Sequence, residues 1–274
     1  MSEAAELAPR EKALLKQKIK RLAARLGVNL VGFASVERWE EAGEVDRPYW
    51  PQTIWPWAKT VIVMAVQIFP SMIETTPSVV YSELYNTTNR MLDEDAWRVA
   101  SFLNEAGFRA HFFPRDCYGD ISVLVKKPEA AFSHVFAGKY AGLGTIGVNH
   151  TLLTKEYGPR IRLVSVITDA PLAPDKMQEK ELCIRCGLCM KNCPTKAFTP
   201  RRDRIQADMD KRRCALYHQQ LKNEFRYPCG RCVAVCPIGE DKKRYGSQSV
   251  SAEGAAHCRN FGSLNAVRER RRNP

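Results

Sequence analysis

The sequence predicts a mixed α/β fold, an α+β sandwich joined to a small cysteine-rich module. Three observations support this fold class. Amphipathic helical segments alternate with apolar, β-branched runs ahead of residue 174, as they do where helices cover a sheet. Eight of the ten cysteines fall between Cys183 and Cys236. The 274 residues suffice for one domain of ordinary size and a second, smaller one.

The elements ahead of the cysteines follow from hydrophobic periodicity. Helical spacing predicts amphipathic helices over 5–26 and 93–106, closed by Gly27 and Gly107, and a further helix over 129–141. Apolar runs predict buried strands over 28–34, 60–69, 108–113 and 161–168, with a Trp- and Pro-rich loop over 39–57. We therefore predict a first domain over 1–173, a cysteine-rich domain over 174–245 and a basic extension over 246–274.

The cysteines have the spacing of iron–sulfur ligands. The first set follows C-x2-C-x2-C-x3-C-P, and the second is a lone cysteine followed by a C-x2-C-x3-C-P run. Three thiolates two residues apart wrap one face of a cubane, and the fourth cysteine of such a run ligates the other cluster. One [4Fe–4S] cluster is predicted on Cys183, Cys186, Cys189 and Cys236. The second is predicted on Cys193, Cys214, Cys229 and Cys232, which gives a ferredoxin-like domain.

Other uses of these cysteines fit the pattern less well. Structural zinc sites come as two C-x2-C pairs, and a disulfide framework belongs to secreted chains. The clusters and free thiols suit a reducing cytoplasm, and no apolar stretch approaches the ~20 residues of a membrane span. Cys117 and Cys258 remain outside the clusters, and Cys117 is either a small apolar residue or a redox-active thiol.

The net charge of +12 bears on the choice of partner. Part of it lies in Arg268, Arg270, Arg271 and Arg272 at the C-terminus. A basic balance favours nucleic-acid or acidic-protein partners, and a solvated tail is the alternative.

A glycine-rich segment from Gly142 to Gly147 contains the pattern G-x-G-x-x-G. A dinucleotide fingerprint requires the glycines to follow a strand and open a helix, whereas the preceding residues 133–140 have a helical pattern. The segment therefore indicates a tight turn or a close approach of the backbone to another group.

A longer stretch resembles a known superfamily. Tyr140-AGLGTIGVN-His150, followed by the double cysteine set, is similar to the epoxyqueuosine reductases and reductive dehalogenases, over roughly residues 80–240. The resemblance implies a nitroreductase-like domain that binds base-off cobalamin beside a ferredoxin-like domain. It implies that cobalamin is lined by Gly142, Leu143, Gly144, Thr145, Ile146, Gly147 and Asn149. The chain resembles a short member that lacks the family's C-terminal helical-repeat domain.

The expected catalytic acid departs from the family pattern. Epoxyqueuosine reductases carry Asp-Thr-Gly-Pro shortly before AGLG, with the aspartate as the proposed proton donor, whereas this register holds Lys127-Pro128-Glu129-Ala130. The family's active-site tyrosine corresponds to Tyr85, and Asn86 stands where the family has histidine. We take as candidates for proton transfer Tyr85, Asp116, Glu129 and His134. Each also has a structural interpretation, as a core aromatic, a turn residue, a first-turn acid and a cap-region residue.

These features predict a cobalamin- and iron–sulfur-dependent reductase that takes electrons from a low-potential ferredoxin or flavodoxin. Its substrate would be epoxyqueuosine in tRNA or a small molecule. Two alternatives remain: an electron-transfer protein that reduces the cobalt of a partner corrinoid protein, and a flavin-dependent reductase. Arg160 and Arg162, predicted to share one strand face, would either meet an anionic group or be solvated.

Overall fold

A four-stranded antiparallel sheet lies at the centre of the computed structural model, which describes residues 8–245 and 251–261. The strand order is β1-β2-β6-β3. These strands are β1 (Leu30–Ser35), β2 (Thr60–Gln67), β3 (Ala110–Phe113) and β6 (Ile161–Thr168). Two short hairpins pair β4 (Thr145–Ile146) with β5 (Leu152–Leu153), and β7 (Phe198–Thr199) with β8 (Asp208–Met209).

Helices occupy both sides of this sheet and the C-terminal module. Those ahead of the module are α1 (Pro9–Arg25), α2 (Arg38–Ala42), α3 (Pro51–Ile54), α4 (Pro70–Ile73), α5 (Val79–Glu105), α6 (Ile121–Lys126) and α7 (His134–Tyr140). The later ones are α8 (Leu188–Lys191), α9 (Lys211–Asn223), α10 (Arg231–Ala234), α11 (Glu240–Tyr245) and α12 (Ala252–Asn260). No helix within the described ranges is both long enough and apolar enough to cross a membrane.

The alternation of side chains along the strands divides the core into two layers. On β2, Ile62 and Met64 face a layer formed with α1 and α5. Val61 and Val63 face the opposite layer, formed with Trp39 and α7. Because both sheet faces are covered, the strands are apolar throughout their length, which is why the sequence shows continuous runs. The mixed α/β fold class is confirmed.

The strands were predicted closely, but two helices differ from expectation. Helix α5 begins at Val79 instead of residue 93, because the Ser78 hydroxyl caps it by accepting a hydrogen bond from the Tyr81 amide. A polar stretch from Asn86 to Asn89 hides the helical period there. The helix predicted over 129–141 begins only at His134, after the Ser133 cap. The Trp- and Pro-rich loop contains α2, α3 and a short 3-10 turn, Arg47–Tyr49.

A buried arginine joins the cysteine module to the sheet. The Arg160 guanidinium is 0% exposed and forms an ion pair with Asp241, with N···O distances of 2.6 and 2.7 Å. It also donates to the carbonyl oxygens of Cys236 at 2.9 Å and Ile238 at 2.6 Å. The prediction that Arg160 lies on a strand face with Arg162 is therefore wrong: it precedes β6 and holds the second cysteine segment in place. The arginine-rich end of the chain lies outside the described residues.

Candidate active site

A cavity of about 770 Å³ lies between the sheet and the cysteine module. Its walls are chemically different. One wall carries the cysteines predicted to hold the second cluster: Cys193, Cys214, Cys229 and Cys232. Another carries polar side chains contributed by four separate segments: Tyr85, Asp116, Tyr118, Arg162 and Tyr227. The volume falls in the upper part of the range for small-molecule sites.

The other four cysteines surround a smaller cavity. Cys183, Cys186, Cys189 and Cys236 line it together with Asn149 and Ile238. The structure thus brings the eight cysteines together in the two groups that the spacing predicts. Cys186 of this group is exposed, whereas Cys229 of the other is buried. One set therefore faces solvent and the other faces the large cavity.

The cysteine loops are shaped by left-handed glycines. Gly187, with φ +73°, precedes α8, and Gly230, with φ +64°, precedes α10. A Cβ at Gly230 would lie 2.6 Å from the Tyr81 ring, so only glycine allows this loop to pack against α5. Burial raises the pKa of the Cys229 thiol to about 11 and that of Cys214 to about 12. A metal held by these thiols would displace their protons on binding, because thiolates are the ligating form.

An ion pair forms the centre of the polar wall. Arg162 Nη2 donates to Asp116 Oδ1 and to the Tyr85 hydroxyl, both at 3.1 Å. The Tyr85 hydroxyl in turn donates to Asp116, at 3.1 and 3.2 Å to its two oxygens. Burial acts to lower the pKa of Arg162, but the neighbouring Tyr85 and Asp116 outweigh it and raise the pKa. The solvated-face interpretation of Arg162 is wrong, because the side chain is drawn into this network.

Two further tyrosines extend the network across the cavity. The hydroxyls of Tyr118 and Tyr227 lie 2.7 Å apart, and the Tyr118 hydroxyl donates to Asp116 at 3.4 Å. The Tyr227 ring also meets the Tyr85 ring edge to face, with centroids 5.4 Å apart. Burial raises the pKa of both Tyr118 and Tyr227. These phenols therefore keep their protons at neutral pH and form a chain of donors leading to Asp116.

His134 lies in the same cavity wall, but the protein occupies its nitrogens. Nδ1 lies 2.9 Å from the Ser165 hydroxyl, and Nε2 lies 3.0 Å from the Pro114 carbonyl and 3.3 Å from Cys117 Sγ. Burial lowers the pKa of His134 to about 4, and it raises the pKa of Cys117 to about 12. The imidazole is neutral and the thiol is protonated at pH 7. Cys117 therefore lacks the thiolate that a nucleophile needs.

His134 also predicts a pH dependence of stability. Its folded pKa of about 4 lies below the ordinary value of 6.5, so the unfolded chain binds the additional proton. The free energy of unfolding is therefore expected to fall as the pH drops from about 6.5 towards 4. Between pH 7.5 and pH 5, the free energy of unfolding measured in urea should fall less for His134→Gln than for the parent. His257→Gln, at an exposed position, should keep the parental loss; equal losses in all three would contradict the prediction.

Glu129 stands apart from the network, at the rim of the cavity. It is exposed, accepts a hydrogen bond from the Tyr49 hydroxyl and lies 3.1 Å from Lys127 Nζ. The Tyr49 hydroxyl is the main cause that lowers the pKa of Glu129. An exposed carboxylate with a lowered pKa is a poor proton donor near neutral pH. Of the two acids, only Asp116 belongs to the network of the polar wall.

The glycine-rich segment lies mostly outside the large cavity. Gly142, Leu143, Gly144, Thr145, Ile146 and Gly147 do not line it, whereas Asn149 does. A Cβ at Gly144 would lie 1.9 Å from the Leu153 carbonyl, and one at Gly142 would lie 2.3 Å from that of Lys176. Contacts within the chain thus account for these glycines. The Asn149 amide donates to the Cys232 carbonyl at 3.3 Å and so reaches the second cysteine set.

Sequence reasoning missed Tyr118 and Tyr227 and undervalued Arg162. Each had a signal in its neighbours. Tyr118 lies two residues after Asp116, and Tyr227 lies two residues before the ligand candidate Cys229. A tyrosine close in sequence to a predicted metal ligand lies near the site, because the ligand must lie there.

The chain is similar in sequence to proteins of known family. Residues 182–240 match the family described as a 4Fe–4S dicluster domain. The tetrachloroethene reductive dehalogenase of Desulfitobacterium hafniense is 30% identical, over 77% of this chain and 36% of its own length. The epoxyqueuosine reductase of Pseudomonas aeruginosa is 28% identical, over 84% of this chain and 70% of its own length. The chain thus spans about a third of the length of the dehalogenases that it matches.

Solved structures agree in fold. A reductive dehalogenase studied for B12-dependent dehalogenation superposes with a TM-score of 0.66 at 20% identity, over 94% of this chain and 37% of the other. An epoxyqueuosine reductase bound to an epoxyqueuosine-modified tRNA-Tyr stem loop superposes with a TM-score of 0.55 at 20% identity, over 84% of this chain and 66% of the other. The resemblance carried by the AGLG segment and the cysteines is confirmed: the chain is a homologue of the epoxyqueuosine reductases and reductive dehalogenases, shorter than they are.

Proposed function

We propose that the chain is a cobalamin- and iron–sulfur-dependent reductase of the epoxyqueuosine reductase type. One observation carries the proposal: a single cavity has a cysteine set on one wall and a proton-bearing network on another. Reduction of a bound molecule needs electrons and protons at the same place. The relatives are oxidoreductases, and their names give the two reaction classes to be tested.

Electrons would pass from the solvent-facing set to the cavity-facing set. Cys186 is exposed and belongs to the set around the smaller cavity, whereas Cys229 and Cys232 line the large one. Asn149 borders both cavities and donates to the Cys232 carbonyl, so it lies between the two sets. Two clusters in series are the usual arrangement of a dicluster domain.

The large cavity suits a bulky redox cofactor. Its lining includes the apolar side chains of Leu152, Ile161 and Leu163, together with Asn149 and His150. Cobalamin would supply a cobalt centre that accepts electrons singly and passes them to the substrate. The side chains named here would hold it, and the polar wall would face the substrate.

The polar wall would supply protons. Removal of an epoxide oxygen as water consumes two electrons and two protons, whereas replacement of a halogen by hydrogen consumes two electrons and one proton. Tyr118 and Tyr227 hold their protons and are linked to Asp116, so the network can deliver a first proton and be recharged through the tyrosines. Arg162 holds Asp116 as a carboxylate, which would take a proton from Tyr118 and pass it on to the substrate.

The substrate class follows from charge and from the relatives. The net charge of +12 and the position of Lys211 and Arg231 at the cavity favour an anionic substrate. A solved relative binds a tRNA stem loop that carries epoxyqueuosine. We therefore place epoxyqueuosine in tRNA ahead of a halogenated small molecule.

Anaerobic purification with added cobalamin tests the proposal. About eight irons and roughly one cobalt per chain, with conversion of epoxyqueuosine-tRNA by a chemical reductant, would support it. Conversion of a chlorinated alkene instead would move the chain to the dehalogenase class. Eight irons without cobalt would contradict the cofactor assignment and favour either reduction of a partner corrinoid protein or, if flavin is bound, a flavin-dependent reductase.

Cys186→Ala is expected to remove about half of the cluster iron, because Cys186 belongs to one of two four-cysteine sets. Iron and sulfide analysis after anaerobic reconstitution measures this loss. Cys258→Ala, a cysteine outside both sets, should keep full iron. Full iron in Cys186→Ala would remove that residue from the ligand set.

A further inference from the structure

The surface around the solvent-facing cysteine set carries two exposed aliphatic side chains. Ile184, between Cys183 and Cys186, is 66% exposed, and Leu188 at the start of α8 is 38% exposed. Cys186 itself is exposed between them. Large aliphatic side chains at a chain surface are common singly, but two of them beside an exposed ligand cysteine form a patch that suits protein contact.

Positive charge surrounds this patch. Arg185 lines the smaller cavity with the cysteines, Lys191 ends α8, and both side chains are exposed. Neither forms an ion pair with any described residue. The nearby acid Glu179 is engaged by Lys176 at 2.8 Å, and Glu181 is the other acid in the segment. Lys180 and Lys196 add further exposed cations, so the segment from 180 to 196 is basic overall.

The other cysteine set of the module faces the large cavity instead of solvent. The cavity-facing cysteines line the large cavity together with Tyr81 and Tyr227, and Cys229 is buried. An approaching protein meets the solvent-facing set first. Electron transfer between proteins requires the two redox centres to come close, and a short-lived contact of modest area serves this purpose.

We infer that Ile184, Arg185, Cys186, Leu188 and Lys191, here called the docking surface, bind an acidic, low-potential electron-carrier protein. The apolar pair would make the contact, and the two cations would steer the carrier and set its orientation. The step would be a one-electron transfer: the reduced carrier would lose an electron, a cluster held by the solvent-facing cysteines would gain it, and no bond would be made or broken. The inference rests on the two clusters of the proposed function and concerns how they are reduced.

Stopped-flow reduction of the clusters tests the docking surface without cobalamin or substrate. A reduced flavodoxin, an acidic carrier, is mixed with anaerobic protein of known iron content, and bleaching of the cluster absorbance gives the rate. Arg185→Glu and Lys191→Glu are each expected to slow this reduction about tenfold or more at low ionic strength. The difference should shrink as salt is added, because screening removes the charge term.

Two comparisons isolate docking from damage to the clusters. Reduction by dithionite at high ionic strength, where the charge of this small anion is screened, should proceed at a similar rate in parent and variants with equal iron content. Lys126→Glu changes an exposed cation on α6, which contributes Ile121 and Leu124 to the wall of the large cavity, and should keep the parental rate with flavodoxin. If both docking-surface variants react with flavodoxin as fast as Lys126→Glu does, the inference is wrong. Missing iron in the parent would instead overturn the cluster assignment of the proposed function.

Discussion

Asp116→Asn is expected to lower the rate of substrate reduction by a factor of about 10²–10⁴, the usual contribution of a positioned acid. Asp116 accepts hydrogen bonds from Tyr85, Tyr118 and Arg162, and so joins the proton-bearing tyrosines to the cavity. An asparagine keeps the volume of the side chain but cannot pass a proton on. Single-turnover conversion by the reduced protein measures this chemical step directly.

The matched control for this prediction is Glu129→Gln, which removes the other candidate acid at the rim. Its turnover should stay within a small factor of the parent, because Glu129 is exposed and its partners are Tyr49 and Lys127. Iron content and the rate of cluster reduction should be unchanged in both variants, which separates proton delivery from electron supply. A larger loss in Glu129→Gln than in Asp116→Asn would reassign the proton donor.

Arg160→Leu is expected to destabilise the protein by about 3–5 kcal/mol, the usual cost of removing one partner from a buried ion pair. The substitution leaves Asp241 buried without its partner and removes the donors to the Cys236 and Ile238 carbonyls. The chain segment that contains Cys236 and Ile238 would then be held less firmly. Urea unfolding of anaerobic protein measures the loss, and iron release during the titration reports the module separately.

Replacing both partners provides the control for the buried pair. Arg160→Leu combined with Asp241→Leu removes the uncompensated charge, so part of the stability should return. Lys176→Ala removes the exposed pair with Glu179, and its effect should lie within about 0.5 kcal/mol. An Arg160→Leu variant as stable as Lys176→Ala would show that the buried contact contributes little to folding.

Local patterns predicted the sheet and the cysteine grouping well. Strands 60–69 and 161–168 were recognisable because both faces are covered, and their bounds differ little from β2 and β6. The cysteine before the proline of such a run ligates the other cluster, and this rule separates the two sets without coordinates. The start of α5 was missed because a serine cap outweighs a polar stretch with little helical period.

The polar wall could not be predicted because its members are far apart in the chain. Tyr85 comes from α5, Asp116 and Tyr118 from a loop, Arg162 from β6 and Tyr227 from the cysteine module. Only the folded chain places them within hydrogen-bond distance. The glycine-rich segment indicated a close approach of the backbone to another group, and at Gly142 and Gly144 that group is a backbone carbonyl of the same chain.

The cavity-facing cysteines belong to three separate stretches of chain, with Cys193 before β7, Cys214 on α9 and Cys229 and Cys232 around α10. A cluster bound there would cross-link these stretches, much as a disulfide closes a loop. The large cavity would therefore take its final shape only after iron insertion. Loss of the cluster on exposure to oxygen would then weaken ligand binding as well as electron transfer, because the cluster links the segments that form the cavity.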